Sequence, residues 1–263
     1  EITTRLVGSE MCIRDRYFMD SDDAIVPDCI ETLYNIISQE KVDFVAAGIN
    51  QIDENENSLK ITNYPNITRK GKLCMAQYFY EEKNDIWVTT WNKLYNLSFL
   101  KEFHIHFLEH VYHEDIVMHA MLALNTRSFT LTNQTTYLYN CKREDSITNM
   151  EQGYTLKHLN DLTIVFSEIR RLIQADNNLS KHLQKEINLY YLFEIYHRYL
   201  PAMYSNIKRV DLIKGLARLS QNCLPPILET RLTFKSIKRF LFLKLPFNIQ
   251  YLIKSHKYKK SRA

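Results

Sequence analysis

A chain of 263 residues that is 45% hydrophobic, with 17 Tyr and 13 Phe against 5 Gly and 6 Pro, can bury a large core and has little material for flexible linkers or low-complexity tracts. Cys12, Cys29, Cys74, Cys141 and Cys223 are scattered and form no C-x-x-C pair, which argues against a disulfide framework or a structural zinc and fits a reducing, cytoplasmic setting; no run of about 18 uncharged apolar residues and no basic-then-apolar leader indicates a spanning helix or secretion. The net charge of +4 is held unevenly, because residues 230 to 263 carry ten Lys or Arg and no Asp or Glu, while the other 229 residues carry 24 basic against 30 acidic side chains.

From the N-terminus, Glu1 to Val7 could begin a strand, but Gly8-Ser9-Glu10-Met11-Cys12-Ile13-Arg14-Asp15-Arg16 has neither helical nor strand period and resembles translated sequencing adapter. Residues 1 to 16 are therefore read as non-native sequence. Tyr17-Phe18-Met19 reads as the end of a short buried strand, followed by Asp20-Ser21-Asp22-Asp23. Three carboxylates this close repel one another unless a cation or full solvation relieves them. Hard oxygen donors, few in number, suit Mg²⁺ or Mn²⁺ with positions left for substrate phosphates. Asp and Ser are also turn and cap residues, and Asp28 after Pro27 is placed to cap the next helix. An EF-hand loop counted from Asp20 reaches Glu31 at its twelfth position but has Ala24 and Ile25 where an oxygen ligand and Gly are required.

The spacing of Ile30, Leu33, Ile36 and Ile37 predicts a helix over 28 to 39, and the apolar run Val42 to Ile49 a strand buried on both faces. Strand, acidic loop, helix and strand make a βαβ unit, with the carboxylates beyond a strand's carboxyl end, where ligands of such sheets collect. Residues 53 to 72 read as an exposed loop, 73 to 80 as a helix, Trp87 to Leu94 as a strand or a strand-to-helix turn, and Ser98 to Glu102 as a short helix. Glu114-Asp115 opens a helix whose apolar face is Val117, Met118, Met121, Leu122 and Leu124; the helix N-terminus can keep a carboxylate there ionised and able to accept a proton, and an acidic pair is also a routine helix N-terminal preference, the more common reading of such a pair taken alone. Phe129 to Thr132 and Thr136 to Asn140 read as two strands, and 154 to 204 as helical, with its tyrosines as packing surface. His104, His106, His110, His113 and His119 are dense but have no zinc-ligand spacing.

Taken in order, Tyr17 to Asp23, Trp91-Asn92-Lys93-Leu94-Tyr95, Ile105 to Glu109 leading to His113-Glu114-Asp115, and Tyr137-Leu138-Tyr139 with Arg143 and Ser146-Ile147-Thr148 closely resemble family 2 glycosyltransferases of bacterial surface-polysaccharide pathways. The resemblance covers roughly residues 17 to 148. It implies an α/β fold, an incomplete GT-A (Rossmann-like) core over 17 to 150 with a mostly helical extension and basic tail over 151 to 263. It implies a nucleotide-diphosphosugar donor, Mg²⁺ or Mn²⁺, and a saccharide or lipid-linked acceptor. By position, Asp20 and Asp22 are the D-x-D pair that binds donor and metal, with Asp23 beside them; Asp115 is the general base and Glu114 lies on the acceptor side. Lys93 and Arg143 match basic positions near the leaving diphosphate. Direct displacement would invert the anomeric centre.

Members of that family begin with an apolar strand, a nucleotide-binding loop and an acidic segment that should precede Tyr17. The 263-residue polypeptide is accordingly expected to be inactive or very weak, and prone to aggregate through an exposed strand edge. Residues 231 to 262 interleave lysines and arginines with Leu232, Phe234, Ile237 and Phe240 to Leu243, a pattern suited to an anionic membrane surface, and Pro246 limits any single helix there. A helix packed on the domain with a solvated basic face is the competing reading. No nucleic-acid-binding motif accompanies the charge, so no nucleic acid is expected. The alternatives are a non-catalytic interaction fragment, or a protein that binds a membrane or, ranked lower, nucleic acid through its basic tail.

Overall fold

The computed structural model describes residues 14–141 and 154–260, with side chains described through Lys254. Arg143 and Ser146-Ile147-Thr148 lie outside the described residues. The elements in chain order are β1 (Asp15–Tyr17), β2 (Ala24–Ile25), α1 (Cys29–Glu40), β3 (Phe44–Ile52), β4 (Ser58–Thr62), β5 (Ile67–Lys70), α2 (Cys74–Ala76) running into a π-turn (Gln77–Glu81), β6 (Lys93–Asn96), α3 (Leu97–Glu102), α4 (Glu114–Asn125), β7 (Ser128–Asn140), α5 (Leu156–Ala175), α6 (Lys181–Met203), α7 (Arg209–Asn222), α8 (Phe234–Lys244) and α9 (Phe247–Lys260). They divide into two units, one of residues 1–74, 89–106 and 125–142, the other of residues 75–88, 107–124 and 143–263.

The first unit is a seven-stranded sheet whose path runs β1-β6-β3-β7-β2, with β4 paired to β3 and β5 to β7. β3 and β7 are parallel, and β6 runs antiparallel to both β1 and β3. The expected βαβ unit is therefore present with β6 inserted between its two strands, a long-range pairing that no local pattern announces. β3 is buried on both faces from Phe44 to Ile49, as its continuous apolar run requires. On one side Cys29, Leu33 and Ile37, spaced four apart on α1, pack with Val45, Ala47 and Leu94. Ile30, expected on that face, is 43% exposed, because the buried stripe is rotated toward Cys29. Asp28 precedes α1 without a side-chain cap hydrogen bond, contrary to expectation. Elsewhere in the unit Phe44 stacks on Phe129 at 5.4 Å.

Two local readings change. The stretch expected as an exposed loop contains β4 and β5, whose largely exposed residues give no burial signal. The two strands expected at 129–140 are one, β7, with register shifts against β3 around Gly48. A Cβ at Gly48 would lie 2.5 Å from Asn63 Oδ1 and 3.0 Å from the Thr62 carbonyl, so the irregularity depends on a residue without one.

The second unit is helical. α5 buries Leu159, Leu162, Val165, Phe166 and Ile169, α6 buries Ile187, Leu192 and Ile195, and α7 buries Leu212, Leu216 and Leu219. The tyrosines are packing groups, as the sequence indicated: the hydroxyls of Tyr80 and Tyr191 share a hydrogen bond of 2.8 Å, and Phe79 meets Tyr190 edge-on. Glu186, 2% exposed, is neutralised by Lys83 and Arg231. Among the described residues no helix is long and apolar enough to cross a membrane.

Candidate active site

The acidic turn is built by topology. Residues 18 to 23 carry the chain from β1, at one end of the strand path, to β2, at the other, where Ala24 and Ile25 pair with Leu138 and Tyr137 of β7. That pairing sets Asp23 against the end of β7. The Tyr137 hydroxyl donates to Asp23 Oδ2 at 2.7 Å and accepts the Asp20 N–H at 3.3 Å, and the Asn140 N–H donates to Asp23 Oδ1 at 2.9 Å. Trp91 stacks on the Tyr137 ring at 4.2 Å and on Tyr139 at 5.3 Å, fixing the phenol that holds the turn. Asp23 is thus oriented by residues more than a hundred positions away. Asp20 and Asp22 remain exposed.

Asp20, Asp22 and Asp23 each offer a carboxylate oxygen within 4.8 Å of the others, and they are the one such His, Cys, Asp or Glu group among the described residues. Oxygens around an octahedral Mg²⁺ at about 2.1 Å are separated by roughly 3 to 4 Å, so small adjustments of the two exposed side chains suffice to close on an ion. The donor set is all hard oxygen, and its exposed side leaves room for further oxygen ligands. These residues fit Mg²⁺ or Mn²⁺ on chemical grounds.

Lys93 lies in the same unit, with no exposed surface. Its ammonium donates to the Thr89 carbonyl at 2.5 Å and to Asn92 Oδ1 at 2.7 Å, and Asn92 in turn donates to the Ala47 carbonyl. The Trp91-Asn92-Lys93 motif is thus part of the interior that joins β6 to β3.

Glu114 and Asp115 belong to the other unit, at the first turn of α4. Burial, with Glu114 as neighbour, raises the Asp115 pKa to about 6, against the opposing pull of the Ile116 N–H, 2.9 Å from Asp115 Oδ1, and of Arg198. Desolvation is the largest influence on this carboxylate and raises its pKa despite its place at the helix N-terminus. The preceding loop is clamped by α5. Asp161 accepts the Tyr112 N–H at 3.0 Å and the Lys157 ammonium at 2.5 Å, Lys157 also reaches the His110 carbonyl at 2.9 Å, and His158 stacks on Tyr112 at 4.1 Å. This clamp holds His110 and His113 at φ of 60° and 66°, a left-handed conformation costly for side chains of that size. His113, partly buried, has its pKa pushed down to about 4 by burial and by Arg198 and His158, and so is neutral near pH 7.

Asn140, Asp161 and Arg198 carry no functional signal in the sequence. Tyr137 belongs to the Tyr137-Leu138-Tyr139 motif, but nothing local links it to a turn 114 residues earlier.

No family model matches this chain, and no curated protein matches it. Solved structures do. TarS 1–349 of S. aureus in complex with UDP-GlcNAc superposes with a TM-score of 0.62 at 15% identity, covering 88% of this chain and 66% of that one. TarS 1–349 in complex with UDP gives 0.60 at 15% identity over 88% and 65%, and a longer S. aureus TarS structure 0.59 at 15% over 88% and 40%. TarS is a family 2 glycosyltransferase of the GT-A type. The fold of this chain is the GT-A fold, and the chain spans 66% or less of the TarS chains it matches.

Proposed function

We propose that this chain is a family 2 glycosyltransferase that moves a sugar from a nucleotide-diphosphosugar to a saccharide or lipid-linked acceptor in cell-surface polysaccharide synthesis, with inversion at the anomeric carbon. The observation that carries the reading is the Asp20-Ser21-Asp22-Asp23 turn, oriented by Tyr137 and Asn140, in a chain of GT-A fold. TarS, the neighbour of that fold, has been captured with UDP-GlcNAc and with UDP.

In this reading Asp20 and Asp22 hold Mg²⁺ or Mn²⁺, and Asp23, with both oxygens engaged, keeps the turn in register for the donor. A bound divalent ion would supply charge neutralisation to the diphosphate. A carboxylate oxygen of Asp115 takes the proton of the acceptor hydroxyl as the acceptor oxygen bonds to the anomeric carbon and the bond from that carbon to the diphosphate breaks. With a pKa of about 6 it is mostly ionised at pH 7 yet basic enough to accept a proton. Glu114 faces the acceptor. Lys93 and Arg143 are the proposed cationic partners of the leaving diphosphate; for Lys93, which is buried, that role requires the turn from Thr89 to open. The site of action is the cytoplasmic face of the plasma membrane, with residues 231 to 262 toward anionic lipid.

Calorimetric titration with UDP-, GDP- and dTDP-sugars, in Mn²⁺ and again in EDTA, tests the proposal. Binding of one nucleotide sugar that weakens at least about tenfold in EDTA supports it. Absence of binding by every donor would remove it and leave the non-catalytic interaction fragment as the better description.

A further inference from the structure

The helical unit carries an apolar surface that its own core does not use. α8 is fixed on one side: Phe242 and Leu243 are buried, Phe242 meets the rings of Tyr196 and Tyr199, and Gln250 of α9 donates to the Phe242 carbonyl while accepting the Tyr199 hydroxyl. The opposite side presents Phe234 at 82% exposure, Ile237 at 41% and Leu241 at 58%. At about 100° per residue these three fall within an arc of roughly 60°, bordered by Lys238 on one flank and Lys244 on the other. Leu252 of α9, 71% exposed, extends the apolar character beyond α8.

We propose that this face of α8 docks the protein on an anionic lipid bilayer. The inference rests on the membrane part of the proposed function and assigns it to residues. Exposed apolar side chains on a helix held rigid by its other face mark an interaction surface. The charge selects the partner, since residues 230 to 263 hold ten basic side chains and no acidic one. Lys238 can lay its stem along the arc and keep its ammonium at headgroup level, with Lys244, whose ammonium is 3.5 Å from the Ser220 carbonyl, adding positive charge on the other flank, which places Phe234, Ile237 and Leu241 at the acyl boundary.

The test is flotation with vesicles of phosphatidylcholine alone and with about 30 mol% phosphatidylglycerol, at low and at about 0.5 M salt. The unaltered chain is expected to bind the anionic vesicles at least about tenfold better, less so in high salt. The exposed triple variant F234S/I237S/L241S should lose about tenfold, and K238E/K244E should lose the preference for anionic lipid. Failure to bind either vesicle, or full binding by the triple variant, overturns the proposal; so does a triple variant that converts a dimer to a monomer in light scattering without changing flotation. Nucleotide-sugar binding, titrated on the same proteins without vesicles, is expected to be unchanged in both variants, so loss of docking and loss of the transferase reading give separate signals.

Discussion

The two acidic sites of this protein are made of the same side chains and differ in what surrounds them. In the sheet unit, Asp20 and Asp22 are exposed, and Asp23 is held by the Tyr137 hydroxyl and the Asn140 N–H. In the helical unit, Asp115 is drawn out of water beside Glu114, and its pKa rises to about 6. An open cluster of solvated carboxylates is suited to holding a cation and leaving it reachable. A desolvated carboxylate with its pKa near neutrality is suited to taking a proton and releasing it. Environment, more than residue type, divides the labour.

The sharpest way to break this comparison is Asp115→Asn. Single-turnover transfer, which registers even weak activity, should fall by about 10² to 10⁴, with donor affinity retained. The unaltered chain should gain rate with pH through an apparent pKa near 6, and the variant should lack that rise. A variant that transfers at the original rate would exclude Asp115 as the base.

Asp22→Asn addresses the other site and should leave the helical one untouched. Its Mn²⁺-dependent donor affinity is expected to drop by about 10- to 100-fold in calorimetry, while binding measured in EDTA changes little. Equal losses with and without metal would mean that Asp22 contacts the donor without an ion.

Tyr137→Phe is a smaller perturbation of the same turn. It removes the donor to Asp23 Oδ2 and the acceptor of the Asp20 N–H while keeping the stack with Trp91. A loss of about 1 to 2 kcal/mol in urea unfolding is expected, together with weaker Mn²⁺ binding. Unchanged metal affinity would show that the exposed carboxylates find their geometry without the phenol.

The smallest effect is in the pH dependence of stability. Asp115 is easier to protonate folded than unfolded, so its contribution is full below about pH 4 and is lost as pH rises to about 6. His113 is harder to protonate folded than unfolded, so its contribution is lost as pH falls from about 6.5 to about 4. The two slopes oppose each other over the same window and should largely cancel. His113→Asn, a residue that tolerates the positive φ at this position, should uncover the Asp115 slope, a decline on the order of 1 kcal/mol between pH 4 and pH 6. A flat profile in the variant would mean that Asp115 is less desolvated than its surroundings suggest.

The acidic turn was legible because its carboxylates are neighbours in the chain, α1 because burial of one side imposes a helical period, and β3 and α4 because burial all round leaves a mostly apolar run. β4 and β5 escaped because exposed strands carry no such period. The burial of Lys93 escaped because a lysine in the Trp91-Asn92-Lys93 motif reads as a cation open to a phosphate until its ammonium is seen on the Thr89 carbonyl and Asn92. By itself the sequence determined which side chains are present and how near one another they stand along the chain, and so the chemistry each can offer. Only the tertiary structure decided that β6 enters between β1 and β3, that Tyr137 closes on Asp23, and that Asp115 is partly buried. Hydrogen bonding across a sheet and desolvation depend on which distant segments meet, and local pattern carries no record of that.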